Sequence, residues 1–313
     1  MGGIGIVNNP LSRRNRRHPG LARRLRELLA DDGEVVDAST PEELERAVER
    51  LRASGIDVLG IAGGDGTGHM VLTAFARAAA GAPLPALLLL RAGTMNTVAH
   101  GHGIRGTPER ILRDVVARRR QGLPLRTASR DLLAVETEGG PTRLGFIFGT
   151  GAVVSFLEAY YATGHPSPLT AAALLARAVG SAVIRGELAR GLSRREPLRV
   201  ATDGDEWADA SYLAVLAGST PDLGFGFRVF NRFDEQPGSF HVVGVTASPL
   251  QIALSLLRIR AGRPWRRRHA QDEVARDLRL EGEGLRFTVD GDLFGPARRV
   301  RVSTGPGIEI VLP

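Results

Sequence analysis

Five apolar residues, Val58–Ala62, run straight into Gly63-Gly64-Asp65-Gly66-Thr67, and a helical pattern follows at once. An unbroken apolar run this short, closed by glycines, reads as a fully buried strand. A strand that feeds directly into a helix is the unit from which parallel α/β sheets are built. The glycines permit positive φ and let a backbone approach a ligand closely. The first-turn amides of the next helix have no partner inside it, and together with the helix dipole they favour an anion. The expected ligand is a phosphate. Asp65 is repelled by a phosphate unless it holds a metal, orients a hydroxyl or hydrogen-bonds a sugar, and each of these roles is chemical.

The same alternation fills the first 123 residues. Strands are expected at Gly3–Asn8, Glu34–Ala38, Val58–Ala62 and Pro85–Leu90. Helices are expected at Pro19–Ala30, from Pro41 to near Gly55, at Thr67–Ala80 and from Pro108 to near Arg120. Thr40-Pro41-Glu42-Glu43 and Thr107-Pro108-Glu109 are strong helix starts. The expectation is a Rossmann-like parallel sheet over 1–123, with its ligand beyond the carboxyl ends of the strands. After 123 the pattern changes to short strands: Leu132–Thr137, Arg143–Phe148, Leu198–Thr202, Ala210–Ala217, Phe240–Thr246, Arg279–Glu281, Arg286–Val289, Arg299–Val302 and Ile308–Leu312. Asp203-Gly204 is a hairpin signal. Helical insertions are expected over Val153–Arg190, broken at Gly164–Pro168, and at Leu250–Ala261. Residues 124–313 therefore read as a second, β-rich domain, a mainly antiparallel β-sandwich.

All 41 basic residues counted as Lys plus Arg are Arg. A Walker P-loop, a protein-kinase site and a Schiff base each need a lysine, so all three are excluded. With no cysteine, disulfides, zinc-thiolate sites and thiol nucleophiles are excluded too. Any phosphate must be met by backbone amides, Arg and metal. The net charge of +7 raises nucleic acid as a partner, but no nucleic-acid module is present and aromatic residues make up only 5%. No apolar run reaches the roughly 18 residues of a membrane span, and Leu169–Val179 is interrupted by Arg177. Met1-Gly-Gly-Ile-Gly-Ile-Val has no basic leader. The expected location is cytoplasmic, with peripheral contact at the inner membrane face.

Three more segments join Gly63–Thr67 as site candidates. Gly93-Thr94-Met95-Asn96 ends the next strand, where Thr94 and Asn96 either meet a nucleotide or cap a helix. Asn9-Pro10-Leu11-Ser12 ends the first strand and leads into Arg13, Arg14, Arg16 and Arg17. That run is either a solvated surface or a source of positive charge for phosphate. Val289-Asp290-Gly291-Asp292 contains a turn signal that carries no function by itself.

Together and in this order, the four segments resemble the catalytic domain of the diacylglycerol kinase and sphingosine kinase family of lipid kinases. Asn9-Pro10-x-Ser12, Gly63-Gly64-Asp65-Gly66-Thr67, Gly93-Thr94-Met95-Asn96 with Ala99 and Gly103-Ile104, Gly149-Thr150-Gly151, the Leu256–Gly262 stretch and Val289–Asp292 carry the resemblance. It implies transfer of the γ-phosphoryl group of ATP to a lipid hydroxyl with Mg²⁺. Gly63, Gly64 and Gly66 would cradle phosphate. Asn9, Pro10, Ser12, Thr67, Gly93, Thr94 and Asn96 would line the nucleotide. Asp65 would hold Mg²⁺ through water or orient the hydroxyl, and Asp292 would be the general base. The family has Glu at the base position and Gly where this chain has Arg13. The family's Asp-Asp-Gly structural Mg²⁺ site corresponds to Gln236-Pro237-Gly238, just after Asp234 and Glu235, and is not carried over.

The acceptor is expected to be a lipid alcohol, for which Phe156, Tyr160, Tyr161 and their neighbours could line an acyl groove. Trp265 inside the basic run 263–269 suits an anionic membrane interface. Two alternatives stand beside this reading: a kinase of a non-lipid alcohol such as NAD, and a catalytically weak nucleotide- or lipid-binding protein. Association as a homodimer is compatible with the sequence.

Overall fold

A computed structural model describes every residue except 1, 165–166, 185, 188–190, 192–194, 209 and 267. Parts of the expected 153–190 helical stretch, and Arg267 of the basic run, therefore lie outside the described residues. The chain forms two compact units, Met1–Arg130 with Pro306–Pro313, and Asp131–Gly305.

In the first unit, β1 (Ile4–Asn8) lies between β2 (Gly33–Asp37) and β3 (Val58–Ala62), and β4 (Ala86–Leu89) adjoins β3, all parallel. The helices are α1 (Arg13–Arg17), α2 (Leu21–Leu29), α3 (Pro41–Ala53), α4 (Asp65–Ala79), α5 (Thr97–Gly101) and α6 (Pro108–Arg120). Thr40 and Thr107 cap α3 and α6 by accepting from the amides of Glu43 and Arg110, as the threonine-proline starts predict. Leu21, Leu25 and Leu29 are buried along α2, a stripe at helical spacing.

The unit boundary differs from the expected break after 123. Beyond Arg126–Arg130, residues 306–313 also group with the first unit. Ile308, Ile310 and Val311 are buried, and Ile310 pairs in parallel with Leu87 of β4. Nothing local distinguishes this apolar segment from its antiparallel neighbours; only its partner does.

The second unit contains β5 (Arg126–Thr137), β6 (Arg143–Gly145), β7 (Ile147–Thr150), α7 (Ala152–Tyr161), α8 (Pro168–Val183), β8 (Glu196–Thr202), β9 (Asp205–Glu206), β10 (Ala210–Tyr212), β11 (Ala214–Gly218), β12 (Phe240–Val245), α9 (Pro249–Arg260), β13 (Ala270–Ala275), β14 (Asp277–Val289) and β15 (Asp292–Leu312). The first and last of these strands reach into the first unit at their outer ends. The order β13-β12-β11-β7-β14-β15 is antiparallel, and β8 pairs with β14. Phe148, Val200, Trp207, Val242, Leu280 and Phe287 belong to one buried core, and Tyr160, Ala171 and Leu174 form a smaller one. Asp203 and Gly204 turn β8 into β9 with positive φ at both positions, as the dipeptide predicts. The strands expected at Arg279–Glu281 and Arg286–Val289 are one strand, β14. Its ladder shifts register between Glu281 and Leu285, where Gly284 takes φ +65°. The glycines mark a bulge, not a break.

His241 of β12 is fully buried, and among the described residues neither ring nitrogen has a hydrogen-bond partner. Burial, reinforced by Arg232 and opposed by Glu235, pushes its pKa down to about 4. Below the ordinary histidine pKa the unfolded chain takes up a proton that the folded chain refuses. Folding stability should therefore fall by about 3 kcal/mol as pH drops from about 6.5 to 4. Denaturant titrations across that window should show this slope, and His241→Gln should flatten it. An equal slope in the variant would place the effect elsewhere.

Candidate active site

The loops that follow β1, β3 and β4 all lie at the carboxyl edge of the first unit's sheet. They are fastened to one another. The Ala92 amide donates to the Gly63 carbonyl at 3.0 Å, the Asn9 amide to the Ala62 carbonyl at 3.1 Å, and the Arg14 amide to the Ala92 carbonyl at 3.0 Å.

The glycines serve close approach, not unusual backbone torsion. None of Gly63, Gly64 and Gly66 has positive φ, contrary to the expectation. Gly64 sits at φ −99° as the N-cap of α4. A Cβ on Gly93 would lie 2.2 Å from the Gly64 Cα, and a Cβ on Gly63 would lie 2.4 Å from the Thr67 Cβ. The two loops touch backbone to backbone, which leaves no room for a side chain. α4 starts at Asp65, two residues earlier than expected, and no side chain caps it. Its first-turn amides therefore meet whatever occupies the loop.

Asp65 is not an isolated carboxylate. Its Oδ2 accepts from the Thr97 amide at 2.9 Å and its Oδ1 from the Val98 amide at 3.3 Å. One carboxylate thus stands in the first turn of α4 and caps the N-terminus of α5. Asn96 occupies the left-handed region at φ 51°, which Asn tolerates better than most residues. Its Oδ1 accepts from the Gly93 amide at 3.0 Å and its Nδ2 donates to the Gly93 carbonyl at 3.2 Å. Asn96 therefore shapes the loop. Asn9 Nδ2 donates to Thr67 Oγ1 at 2.9 Å, and Asn9 Oδ1 accepts from the Leu11 amide at 2.9 Å. Thr67 and Thr94 are both half-buried at this edge.

The Arg-rich segment after Ser12 is a short helix, not a solvated coil. Asn15 is buried within it, and its Nδ2 reaches Asn8 Oδ1, the Asn9 carbonyl and Ser12 Oγ at 2.8, 2.8 and 3.0 Å. Asn8 in turn donates to Asp37 Oδ1 at 2.6 Å. This network positions Asn9, and sequence reasoning missed it. A polar Asn doublet at the end of a fully apolar strand was the available signal. Ser12 belongs to this scaffold.

Arg14 and Arg24 share Glu109 at 3.4 and 3.2 Å. Arg91, beside the Gly93 loop, has its pKa lowered by burial and then by the charges of Arg105 and Arg14. Among the described residues the buried Nε atoms of Arg14 and Arg91 have no hydrogen-bond partner. Arg91 thus feels the positive charge of both Arg105 and Arg14, and such a field beside amide donors suits a polyanion. Sequence reasoning pointed to the Arg13–Arg17 run but missed Arg91 and Arg105.

Among the described residues no three His, Asp or Glu side chains gather to hold a metal. Asp65 could supply a single carboxylate to a magnesium ion, which keeps several waters and takes one or two carboxylates.

Asp292 belongs to the second unit. It opens β15 opposite Val289, after a two-residue turn in which Asp290 and Gly291 have φ 48° and 95°. Asp290 is buried and accepts the Phe146 and Ile147 amides at 3.0 and 2.8 Å. Tyr161 donates to the Gly291 carbonyl at 2.9 Å. Asp290 and Tyr161 thus hold the turn that presents Asp292.

Residues 4–126 match the family model described as the diacylglycerol kinase catalytic domain. Two solved structures from Bacillus anthracis str. Sterne share the fold along nearly the whole chain. One is 13% identical, with 99% of this chain and 97% of its own covered and a TM-score of 0.70. The other, a diacylglycerol kinase, is 12% identical over 99% and 97%, with a TM-score of 0.67. Yeast NADH kinase complexed with NADH matches at 10% identity over 100% of this chain and 84% of its own, with a TM-score of 0.52. No curated protein sequence matches significantly.

Proposed function

We propose, from the premise that residues 4–126 belong to the diacylglycerol kinase catalytic-domain family, that this protein transfers the γ-phosphoryl group of ATP to a lipid hydroxyl. The observation that carries the reading is the Gly64–Gly93 backbone contact, with Asp65 set between two helix N-termini at the edge of a parallel sheet. Phosphoryl transfer asks a protein mainly for positioning and charge neutralisation. The Gly63–Gly66 backbone and the α4 amides receive phosphate oxygens, and Arg14, Arg91 and Arg105 supply positive field. Asp65 would hold Mg²⁺, which would supply further charge neutralisation at the phosphates. Asp292 takes the proton of the acceptor hydroxyl.

A lipid is favoured over a soluble alcohol by an apolar groove of about 110 Å³ in the second unit. Leu175, Val179, Leu213, Ile252, Ala253 and Leu256 line it. A competing reading keeps the phosphotransferase and takes NAD as acceptor, on the fold shared with yeast NADH kinase. Incubating the protein with labelled ATP and a panel of diacylglycerol, sphingoid base, polyprenol and NAD separates the two. Product only on NAD would overturn the lipid assignment, and ATP binding with no product on any acceptor would leave a binding protein. Asp292→Ala should lower kcat by about 10²- to 10⁴-fold, the usual worth of a general base, with ATP affinity little changed. Asp292→Glu should retain activity. A fully active Asp292→Ala would remove the base assignment.

A further inference from the structure

Helix α9 is apolar on two sides. Ile252 and Leu256 face the groove beside α8, and Ile259 is buried. Leu250, Leu254 and Leu257, at i, i+4 and i+7, point outward with 40%, 78% and 83% of their surface exposed. Leu169 and Ile184, at the two ends of α8, are 82% and 78% exposed. Single exposed leucines are ordinary, but a stripe on one helix face is a contact surface.

The third side of α9 is basic. Gln251, Leu254, Ser255, Arg258, Arg266, Arg268 and the buried His269 enclose a cavity of about 330 Å³. Residues 249–269 contain six Arg and no Asp or Glu. Among the described residues no carboxylate pairs with Arg258, Arg266 or Arg268. Arg258 Nε donates to the Pro264 carbonyl at 3.0 Å, and the His269 amide donates to the Arg266 carbonyl at 2.7 Å. The basic segment is therefore held against the helix. His269 has its pKa lowered by burial and then by Arg268 and Arg266.

We propose that α9 and the 263–269 segment form a docking surface for anionic phospholipid bilayers. Leu254 and Leu257 enter the acyl boundary, while Arg258, Arg266 and Arg268 take headgroup phosphates. An apolar stripe flanked by Arg is the physical pattern of an interfacial helix, and each basic residue near an anionic surface contributes favourably. A free anion would use the arginines and leave the leucines without a role. A second copy of the chain in a two-fold interface would set like Arg clusters against each other. The surface lies wholly in the second unit and depends on no assignment of the phosphotransfer residues.

The test is sedimentation of the full chain with vesicles, without nucleotide or acceptor. Binding is expected on phosphatidylcholine vesicles carrying about 30 mol% phosphatidylglycerol, and it should weaken as salt shortens the screening length. Leu254→Gln with Leu257→Gln should reduce partitioning by about 100-fold. Arg266→Gln with Arg268→Gln should reduce it by about tenfold or more. All four side chains are exposed, so circular dichroism should be unchanged. Equal binding to neutral vesicles would overturn the proposal, as would binding unaffected by either pair. So would a dimer by light scattering that only the leucine pair dissolves, or saturable inorganic phosphate binding at these arginines without vesicle binding.

Discussion

Asp65→Asn is expected to reduce phosphoryl transfer by about 10³-fold or more, comparable to removing a principal electrostatic group from a preorganised site. The same substitution should also lower folding stability by about 1–2 kcal/mol. In the parent the carboxylate accepts from both the Thr97 and Val98 amides. The Asn amide nitrogen would turn a donor toward one of them and remove the negative charge between the α4 and α5 N-termini. Steady-state kinetics and denaturant unfolding on one preparation separate the two effects. A stability loss of this size with turnover within about tenfold of the parent would leave Asp65 as a helix cap and take it out of the chemistry.

Gly93→Ala should cost about 3 kcal/mol or more and abolish nucleotide binding. The added methyl would sit 2.2 Å from the Gly64 Cα and 3.0 Å from the Gly64 N, so the obstacle is backbone and cannot swing away. Only separation of the β3–α4 and β4–α5 loops makes room, and that separation would open the proposed phosphate cradle. Gly180→Ala is the matched control. Gly180 lies inside α8 with nothing within 4 Å of an added Cβ, so replacement should stabilise by about 0.5–1 kcal/mol through helix propensity. Calorimetric titration with ATP and unfolding curves measure both. Undiminished ATP affinity in Gly93→Ala would show that the two loops separate without consequence for binding.

Much of the fold was legible because its signals are local. The threonine-proline starts of α3 and α6, the leucine stripe of α2 and the Asp203-Gly204 and Asp290-Gly291 turns each depend on a few adjacent residues. Where local pattern and pairing diverged, the sequence reading went astray. The Gly-rich interruption of β14 reads as a gap between strands, yet the ladder continues past it with a shifted register. Ile308–Leu312 reads as one more antiparallel strand, yet Ile310 pairs in parallel with Leu87.

The site divides in the same way. The order of Asn9-Pro10-x-Ser12, Gly63–Thr67 and Gly93–Asn96 at successive strand ends was enough to place them on one sheet edge, because parallel topology puts every such loop there. The division of labour among them came from contacts across dozens of residues. Asn96 and Ser12, read as nucleotide contacts, bond to the loop and the Asn15 network. Asn15, Arg91 and Arg105, which no local pattern marks, complete the scaffold and the positive field.

By itself, the sequence excluded lysine from any phosphate site here, which leaves backbone amides, arginine and metal, and it singled out Asp65 as the carboxylate to test. Only the tertiary structure decided why the glycines are glycines and what Asp65 already does. A close approach of two backbones 29 residues apart in the chain, and a carboxylate shared between two helix ends, are properties of pairs. No single segment carries its partner's position.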